Sequence, residues 1–372
     1  MKVISVFGTR PEAIKMAPLV KMLEQTEGIE SVVAVTAQHR EMLDQVLRIF
    51  DIKPDHDLDL MRPGQTLTSI TNAVVEGIGG IIEQEQPDLL LVHGDTTTTF
   101  AAALAAFYHQ VPCGHVEAGL RTDNKYSPYP EEMNRRLCDQ LCDLYFAPTQ
   151  IAADNIKRDG LPMQHVYITG NTVIDALLTV TDRPCDLAEY GLAAVDWSKK
   201  VLLLTCHRRE NWGAPMREIF AAVAEVAAAR ADVEVLFPMH RNPLVREAAK
   251  EAFGELSNVH LCEPLDYLPF SHVMKLCHLV LTDSGGIQEE APGLGKPVLV
   301  LRDTTERPEA VAAGTARLAG TSRAGVKAAL ELLLDDPAEY AKMSQAANPY
   351  GDGTASKQIC DAILEWSKKQ KA

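Results

Sequence analysis

Acidic side chains recur where this chain leaves its apolar runs: Asp95 in "HGDTTTTFAAA", Glu117 in "VPCGHVEAGLRT", and Glu131 with Glu132 in "YSPYPEEMNRRLCDQL". Carboxylates held in differing surroundings are what proton abstraction and return require. Each also has a structural reading. Asp95 and Thr96 to Thr99 can cap a helix, while Glu131 and Glu132 complement a helix N-terminus and can pair with Arg135 and Arg136 at i+4. Taken singly, the structural reading is the commoner one. Three acidic clusters after successive strands of one domain argue instead for a shared site. His93, Asp95, His115 and Glu117 form a competing metal-binding set, but there is no HExxH and no strong metal-site spacing. No metal is expected.

A second group of residues suits an anion. In "GTRPEAIKMAP", Thr9 and Glu12 have the spacing of a capping box and Pro11 suits a first helical turn. Arg10 opposes the dipole of that helix, which makes sense beside a bound anion, and Lys15 follows one to two turns later. His207, Arg208 and Arg209 fall immediately after the run "VLLLT", an arrangement suited to phosphate. His240 and Arg241 repeat it after "VLFPM", and Arg302 and Arg307 after "VLVL". In "LTDSGGIQEEAP", Ser284, Gly285 and Gly286 offer backbone amides at a helix start. Pro292 and Gly293 then end the helix within about two turns. Glu290 shares a helix face with Gly286, four residues earlier, whereas Glu289 points elsewhere and is read as structural. "GLGKP" is not a P-loop, and no GxGxxG occurs, so a nicotinamide cofactor is unsupported.

These residues need elements to position them. Continuous apolar runs at 3–7, 32–35, 89–92, 201–205, 233–237, 279–281 and 298–301 alternate with helical patterns such as "TTFAAALAAFYHQ" and "IFAAVAEVAAARA". That is the signature of buried parallel sheets, hence an α/β fold. With 372 residues, two domains are expected. The rhythm restarts at Val201 after a less regular stretch, which puts the boundary near Gly170 and Asn171: a first domain over 1–170 and a second over 171–355. Two doubly wound domains facing an interdomain cleft would gather their strand ends there. The 51 acidic residues outnumber the 36 basic ones, a formal charge of −15, which argues against a general nucleic-acid or anionic-membrane surface. The eight cysteines include no CxxC. Cys138 and Cys142 sit one helical turn apart with no nearby Cys or His partner, so all eight read as reduced, mostly buried thiols. No signal peptide and no apolar stretch near 18 residues is seen, so a soluble cytoplasmic protein is expected.

The segments "GTRPEAIKMAPLV", "TAQHREMLDQVL", "GDTTTT", "HVEAGLRT", "SPYPEEMNRR", "GNTVIDAL", "HRREN", "DSGGIQEEAP", "KPVLVLRDTTERPEA" and "NPYGDGTAS" resemble, in order, those of the non-hydrolysing UDP-N-acetylglucosamine 2-epimerases. The departures at Ala37 and Ala319 touch no residue assigned to chemistry. The resemblance implies a glycosyltransferase-B-like fold of two Rossmann-like domains, with a C-terminal helix over 356–372 crossing back to the first. It implies reversible conversion of UDP-GlcNAc to UDP-ManNAc for surface polysaccharide synthesis, usually by a homodimer, through loss of UDP to 2-acetamidoglucal and re-addition. No redox cofactor or catalytic metal is implied.

Carried over by motif, Asp95, Glu117 and Glu131 serve as acid and base, without assignment between them. Arg10, Lys15 and His207 face the diphosphate, with the amides of Ser284, Gly285 and Gly286. Phe270 lies by the uracil, Glu290 on the ribose hydroxyls and Arg307 near the substrate. The positions of an activating second UDP-GlcNAc site are Gln38, Gln65, Arg208 and His240, with Gly64 where some members carry Arg. Three rivals remain: a hydrolysing relative releasing ManNAc and UDP, a glycosyltransferase of the same fold, and a nucleotide-sugar sensor.

Overall fold

Short apolar runs without polar alternation, rich in β-branched residues, suit strands of a sheet covered on both faces. The computed structural model of the chain describes every residue except Gln38, His39, Met61, Pro63, Lys371 and Ala372. It divides into two compact units, one of Met1–Ala176 with Tyr350–Ala372, the other of Leu177–Pro349.

Among the described residues, the first unit holds β1 (Lys2–Phe7), β2 (Glu30–Val35), β3 (His56–Asp57), β4 (Leu89–His93), β5 (Cys113–Val116), β6 (Leu144–Ala147) and β7 (Val166–Ile168). They form one sheet in the order β3-β2-β1-β4-β5-β6-β7, every pairing parallel. Ile4, Val6, Leu90 and Val92 are buried from this sheet against Val74, Ile78 and the alanines of helix Thr97–Tyr108. Helix starts carry the expected caps: Thr9 and Glu12 form the full capping box of helix Arg10–Gln25, and Thr96 accepts from the Thr99 amide. The last helix, Ala355–Gln370, belongs to this unit. Its first amides, those of Ala355 and Ser356, donate to Asp175 at 3.2 and 2.7 Å, and it packs beside helix Arg10–Gln25.

The second unit repeats the plan with β8 (Lys200–Thr205), β9 (Val233–Pro238), β10 (Val259–Cys262), β11 (Leu279–Thr282), β12 (Val298–Val300) and β13 (Ala316–Leu318). The order is β10-β9-β8-β11-β12-β13, again parallel throughout. Its core joins Leu202, Leu204, Leu279 and Leu281 to Phe220, Phe237 and Phe253. Each sheet therefore reverses its strand order once: between β1 and β4 in the first unit, between β8 and β11 in the second. Ligands of doubly wound sheets bind outside the carboxyl ends of the strands at such a switch point.

The thiols need one correction. Cys113, at the start of β5, brings its sulfur within 3.3 Å of Cys142, which lies 3.7 Å from Cys138. A neighbouring strand supplied a partner that spacing along the helix does not reveal. All eight cysteines are free, and six of them are buried. No helix among the described residues is long and apolar enough to cross a membrane.

Candidate active site

In the first unit the exits of β1, β4 and β5 carry the acidic candidates. Glu12 is buried and ties two exits together. Its carboxylate accepts from the amides of Gly8 and Thr9 at 3.1 and 2.7 Å, and from the Thr96 and Thr99 hydroxyls at 2.6 and 3.2 Å. Burial raises its pKa, against the pull of these donors. The capping box therefore also fixes the switch point.

Glu117 has φ of 64°, the left-handed region that a side chain with a Cβ enters at a cost of about 1–2 kcal/mol. Strain of this kind gathers at functional sites. Its carboxylate forms an ion pair with Lys15 and accepts from Asn171 Nδ2 at 2.8 Å. His93 Nε2 lies 3.8 Å from the same carboxylate oxygen. His93 is buried, with no hydrogen-bond partner for either ring nitrogen among the described residues. Burial lowers its pKa to about 3, although the Glu117 charge pulls the other way. It is a neutral imidazole at the edge of a charged cluster.

Asp95 does not act as a helix cap. Its carboxylate pairs with Arg135, and its carbonyl accepts from Asn134 Nδ2 at 2.9 Å. Both partners come from helix Glu131–Leu141. This corrects the expected i+4 pairing of Glu131 with Arg135, because Arg135 turns instead to Asp95 and Glu132. Glu132 is buried as a structural hub, accepting from Arg136 at 2.9 Å and from the Thr122 amide at 3.0 Å. Glu131 forms no ion pair or hydrogen bond with any described side chain. It opens onto a cavity of about 520 Å³ that Asp95, Asn134, Gln65 and Thr9 also line. Gln65 is held there by the Arg62 amide at 2.9 Å and by the Leu60 carbonyl at 2.8 Å. Gln38 lies outside the described residues. His115 leaves the metal-ligand set, since its two nitrogens face Asp139 and the Gly94 carbonyl at 2.6 and 2.7 Å. Arg10 stands in the first turn of its helix with no ion pair to any described residue.

The second unit's switch point is built differently. Asp283, after β11, is buried and collects the donors of the β8 exit. The amides of His207 and Arg208 reach it at 2.9 and 2.8 Å, and Asn211 Nδ2 at 3.0 Å. His207 Nδ1 stands 3.3 Å from the same side chain. Burial pushes the His207 pKa down and Asp283 opposes this, while Arg208 and His240 add to the lowering. The rings of His207 and His240 stack with centroids 5.8 Å apart. Beside them a cavity of about 200 Å³ is lined by Phe270, Pro238, Pro264, Leu265 and Ile287. It is a largely apolar slot.

Helix Gly285–Gly293 starts at this point and ends where Pro292 and Gly293 were expected to end it. The Ser284 amide donates to the Thr282 hydroxyl at 2.9 Å. It is therefore already satisfied, a correction to the expectation that it serves an anion. The amides open to one begin at Gly285. A Cβ on Gly285 would meet Glu306 Oε1 at 2.8 Å, so a side chain here would have to push the Glu306 carboxylate aside. Glu306 is held by Arg208 at 2.7 Å and by Arg302. A Cβ at Gly286 would lie 3.6 Å from Glu290 Oε1, so Glu290 does share the face of the helix start. Arg307 pairs with Glu289, which is buried. Of the four activating-site positions, Gln65 sits in the first unit, Arg208 and His240 in the second.

Two parallel doubly wound sheets, each with polar residues gathered at its switch point, define the glycosyltransferase-B-like class. Within that class, the family model described as UDP-N-acetylglucosamine 2-epimerase matches residues 21–364. The chain is 54% identical to the UDP-N-acetylglucosamine 2-epimerase of Bacillus subtilis over 367 residues, 98% of this chain and 95% of the relative. A crystal structure of the Neisseria meningitidis UDP-GlcNAc 2-epimerase bound to UDP-GlcNAc superposes with a TM-score of 0.86 at 49% identity, covering 98% of this chain and 100% of that one. An S. aureus protein (MnaA) in co-structure with UDP gives a TM-score of 0.85 at 49% identity, with 99% and 97% covered. The chain belongs to the UDP-N-acetylglucosamine 2-epimerase family.

Proposed function

We propose that this enzyme interconverts UDP-GlcNAc and UDP-ManNAc without net hydrolysis, as a cytoplasmic homodimer serving surface polysaccharide synthesis. A base removes the C2 proton. The new C1–C2 double bond forms as the C1–O bond breaks, its electron pair leaving with UDP to give 2-acetamidoglucal. UDP then re-adds at C1 while an acid delivers a proton to the opposite face of C2. No redox change occurs, and neither a cofactor nor a metal enters the balance.

The observation that carries this reading is the contrast among the three carboxylates. Asp95 is paired with Arg135, Glu117 with Lys15 and Asn171, and Glu131 with no described side chain. Carboxyl groups in such different settings divide naturally into acid and base roles. Arg10, Lys15 and His207 supply positive charge or donors to the diphosphate, with the amides of Gly285 and Gly286. Drawing Lys15 to the diphosphate would release Glu117 for proton transfer, coupling nucleotide binding to the base. Phe270 stacks by the uracil, Glu290 accepts from the ribose and Arg307 holds the sugar side. Gln38, Gln65, Arg208 and His240 are assigned to an activating UDP-GlcNAc.

Proton NMR of the products formed from UDP-GlcNAc tests the reading. Appearance of UDP-ManNAc to an equilibrium mixture is expected. Free ManNAc and UDP as the main products would replace this reading with the hydrolysing one.

A further inference from the structure

We propose that His115 is a positioning residue of the epimerisation site: a buried imidazolium that clamps the Gly94 carbonyl and so fixes the turns carrying Asp95 and Glu117. The inference rests on the function proposed above.

With Asp139 ionised, as the positive charges of His115 and Arg121 hold it, the geometry calls for a proton on both ring nitrogens. His115 Nε2 lies 2.7 Å from the Gly94 carbonyl oxygen, which can only accept, so Nε2 carries a proton. His115 Nδ1 lies 2.6 Å from Asp139 Oδ1. The other Asp139 oxygen accepts from Arg121 Nη2 at 2.6 Å, the mark of an ionised, acceptor-only carboxylate. Nδ1 therefore carries a proton too. A neutral tautomer would set a lone pair against either the carboxylate or the carbonyl.

The surroundings make this charge tolerable although His115 and Asp139 are both 0% exposed. Arg121 Nε reaches on to Asp159 at 2.8 Å. Asp159, Arg121, Asp139 and His115 thus alternate in sign, with Arg136 and Arg158 also beside Asp159 at the outer end, so each buried charge has an opposite neighbour. Burial is the largest influence and works against the His115 charge, but attraction to and hydrogen bonding with Asp139, together with the Gly94 carbonyl and Cys113, raise the pKa on balance; burial likewise works against Asp139, which His115 and Arg121 hold below its ordinary value.

The chain of charges ends where chemistry is proposed to begin. Gly94 has φ of 70° and its amide donates to the Val116 carbonyl at 2.9 Å. With its carbonyl on His115, the two peptide groups that flank Gly94 are both tied to β5. Asp95 follows directly, and Glu117 lies two residues beyond His115. One side chain thus sets the spacing of two proposed proton carriers. A charged donor holds a carbonyl roughly twice as strongly as a neutral one.

The test uses the full-length enzyme with histidine nitrogens isotopically labelled and no nucleotide added. Both ring nitrogens of His115 are expected to report protonated at about pH 7, above the ordinary histidine pKa of about 6.5. A neutral-tautomer signature there would overturn the proposal, whatever the enzyme's activity. Lack of epimerase activity would overturn the functional reading while leaving this result standing.

The second arm is Asp139→Asn, which keeps the shape and removes the charge. The groups facing the ring are Asp139, the Gly94 carbonyl and the Cys113 thiol, with His93 on the neighbouring strand and Arg121 and Asp159 behind Asp139. Without the Asp139 charge, burial lowers the His115 pKa and the ring becomes neutral at pH 7. Loss of kcat by about tenfold with KM within about twofold is expected. The loss should shrink as pH falls and the imidazolium re-forms. Wild-type kcat with an unchanged pH profile would overturn the proposal. Should Asp139→Asn fail to fold, His115→Gln takes its place, since its amide can donate to Gly94 but not also to Asp139. The same split of kcat from KM is then expected, and wild-type kcat would again overturn the clamp.

Discussion

The two switch points share a topology and differ in almost everything chemical. At the β1, β4 and β5 exits, Glu12, Asp95 and Glu117 stand among Lys15, Arg135 and a neutral buried His93, with a non-glycine residue held at positive φ. At the β8/β11 exits, a single buried carboxylate, Asp283, gathers backbone amides, while cations and the ring of His207 remain half-exposed around an apolar slot. On the proposed reading, the first moves protons and the second holds an anion and a flat ring. The fold supplies a place for a ligand; which side chains follow each strand decides what the place can do.

Substitutions break this comparison in a graded way. Glu117→Gln removes a proton carrier from the first unit and is expected to lower kcat by about 10²–10⁴-fold. UDP affinity, measured by calorimetry, should stay within a few-fold. Asp283→Asn loosens the β8 exit in the second unit. Loss of hydrogen bonds to a charged group is worth about 1.5–3 kcal/mol, so UDP should bind about 10–100-fold more weakly by the same measurement. Glu290→Gln exchanges a charged acceptor for a neutral one. A loss of about tenfold or less in UDP affinity is expected, and 2′-deoxy-UDP should show a smaller difference between the two proteins.

His93 acts on stability and leaves UDP binding at neutral pH untouched. Its folded pKa, about 3, is depressed below the ordinary histidine value. Below about pH 6.5 the unfolded chain therefore binds a proton that the folded one does not. Folding stability should fall by up to about 1.4 kcal/mol per pH unit as pH drops through that window. Denaturant melts of His93→Gln should show a shallower acid slope than the wild type. Equal slopes would mean that His93 is not held neutral.

Much of this was legible in the sequence, for a physical reason. Val201–Thr205 and Leu279–Leu281 are apolar without interruption because parallel strands are covered on both faces, and Thr9 with Glu12 announces its capping box through local spacing alone. Strands as short as His56–Asp57 and Val166–Ile168 lack enough residues for a pattern and went unseen. At the site, the motif positions were visible, but their partners were not. Arg135 could be read as pairing within its helix, and only the packing of Glu131–Leu141 beside the β4 exit sends it to Asp95. Asp283 and His115 were similarly opaque. Each acts on a residue more than 20 positions away, across a strand pairing that one sequence does not print.

The central claim is that this enzyme breaks and remakes the C2–H bond of its substrate with carboxylates of the first unit. Proton NMR of UDP-GlcNAc incubated with the enzyme in D₂O, with no acceptor present, tests it most directly. The C2 proton signal of the UDP-sugar pool is expected to disappear with wild type and to persist with Glu117→Gln. Product formed with the C2 proton fully retained would contradict it.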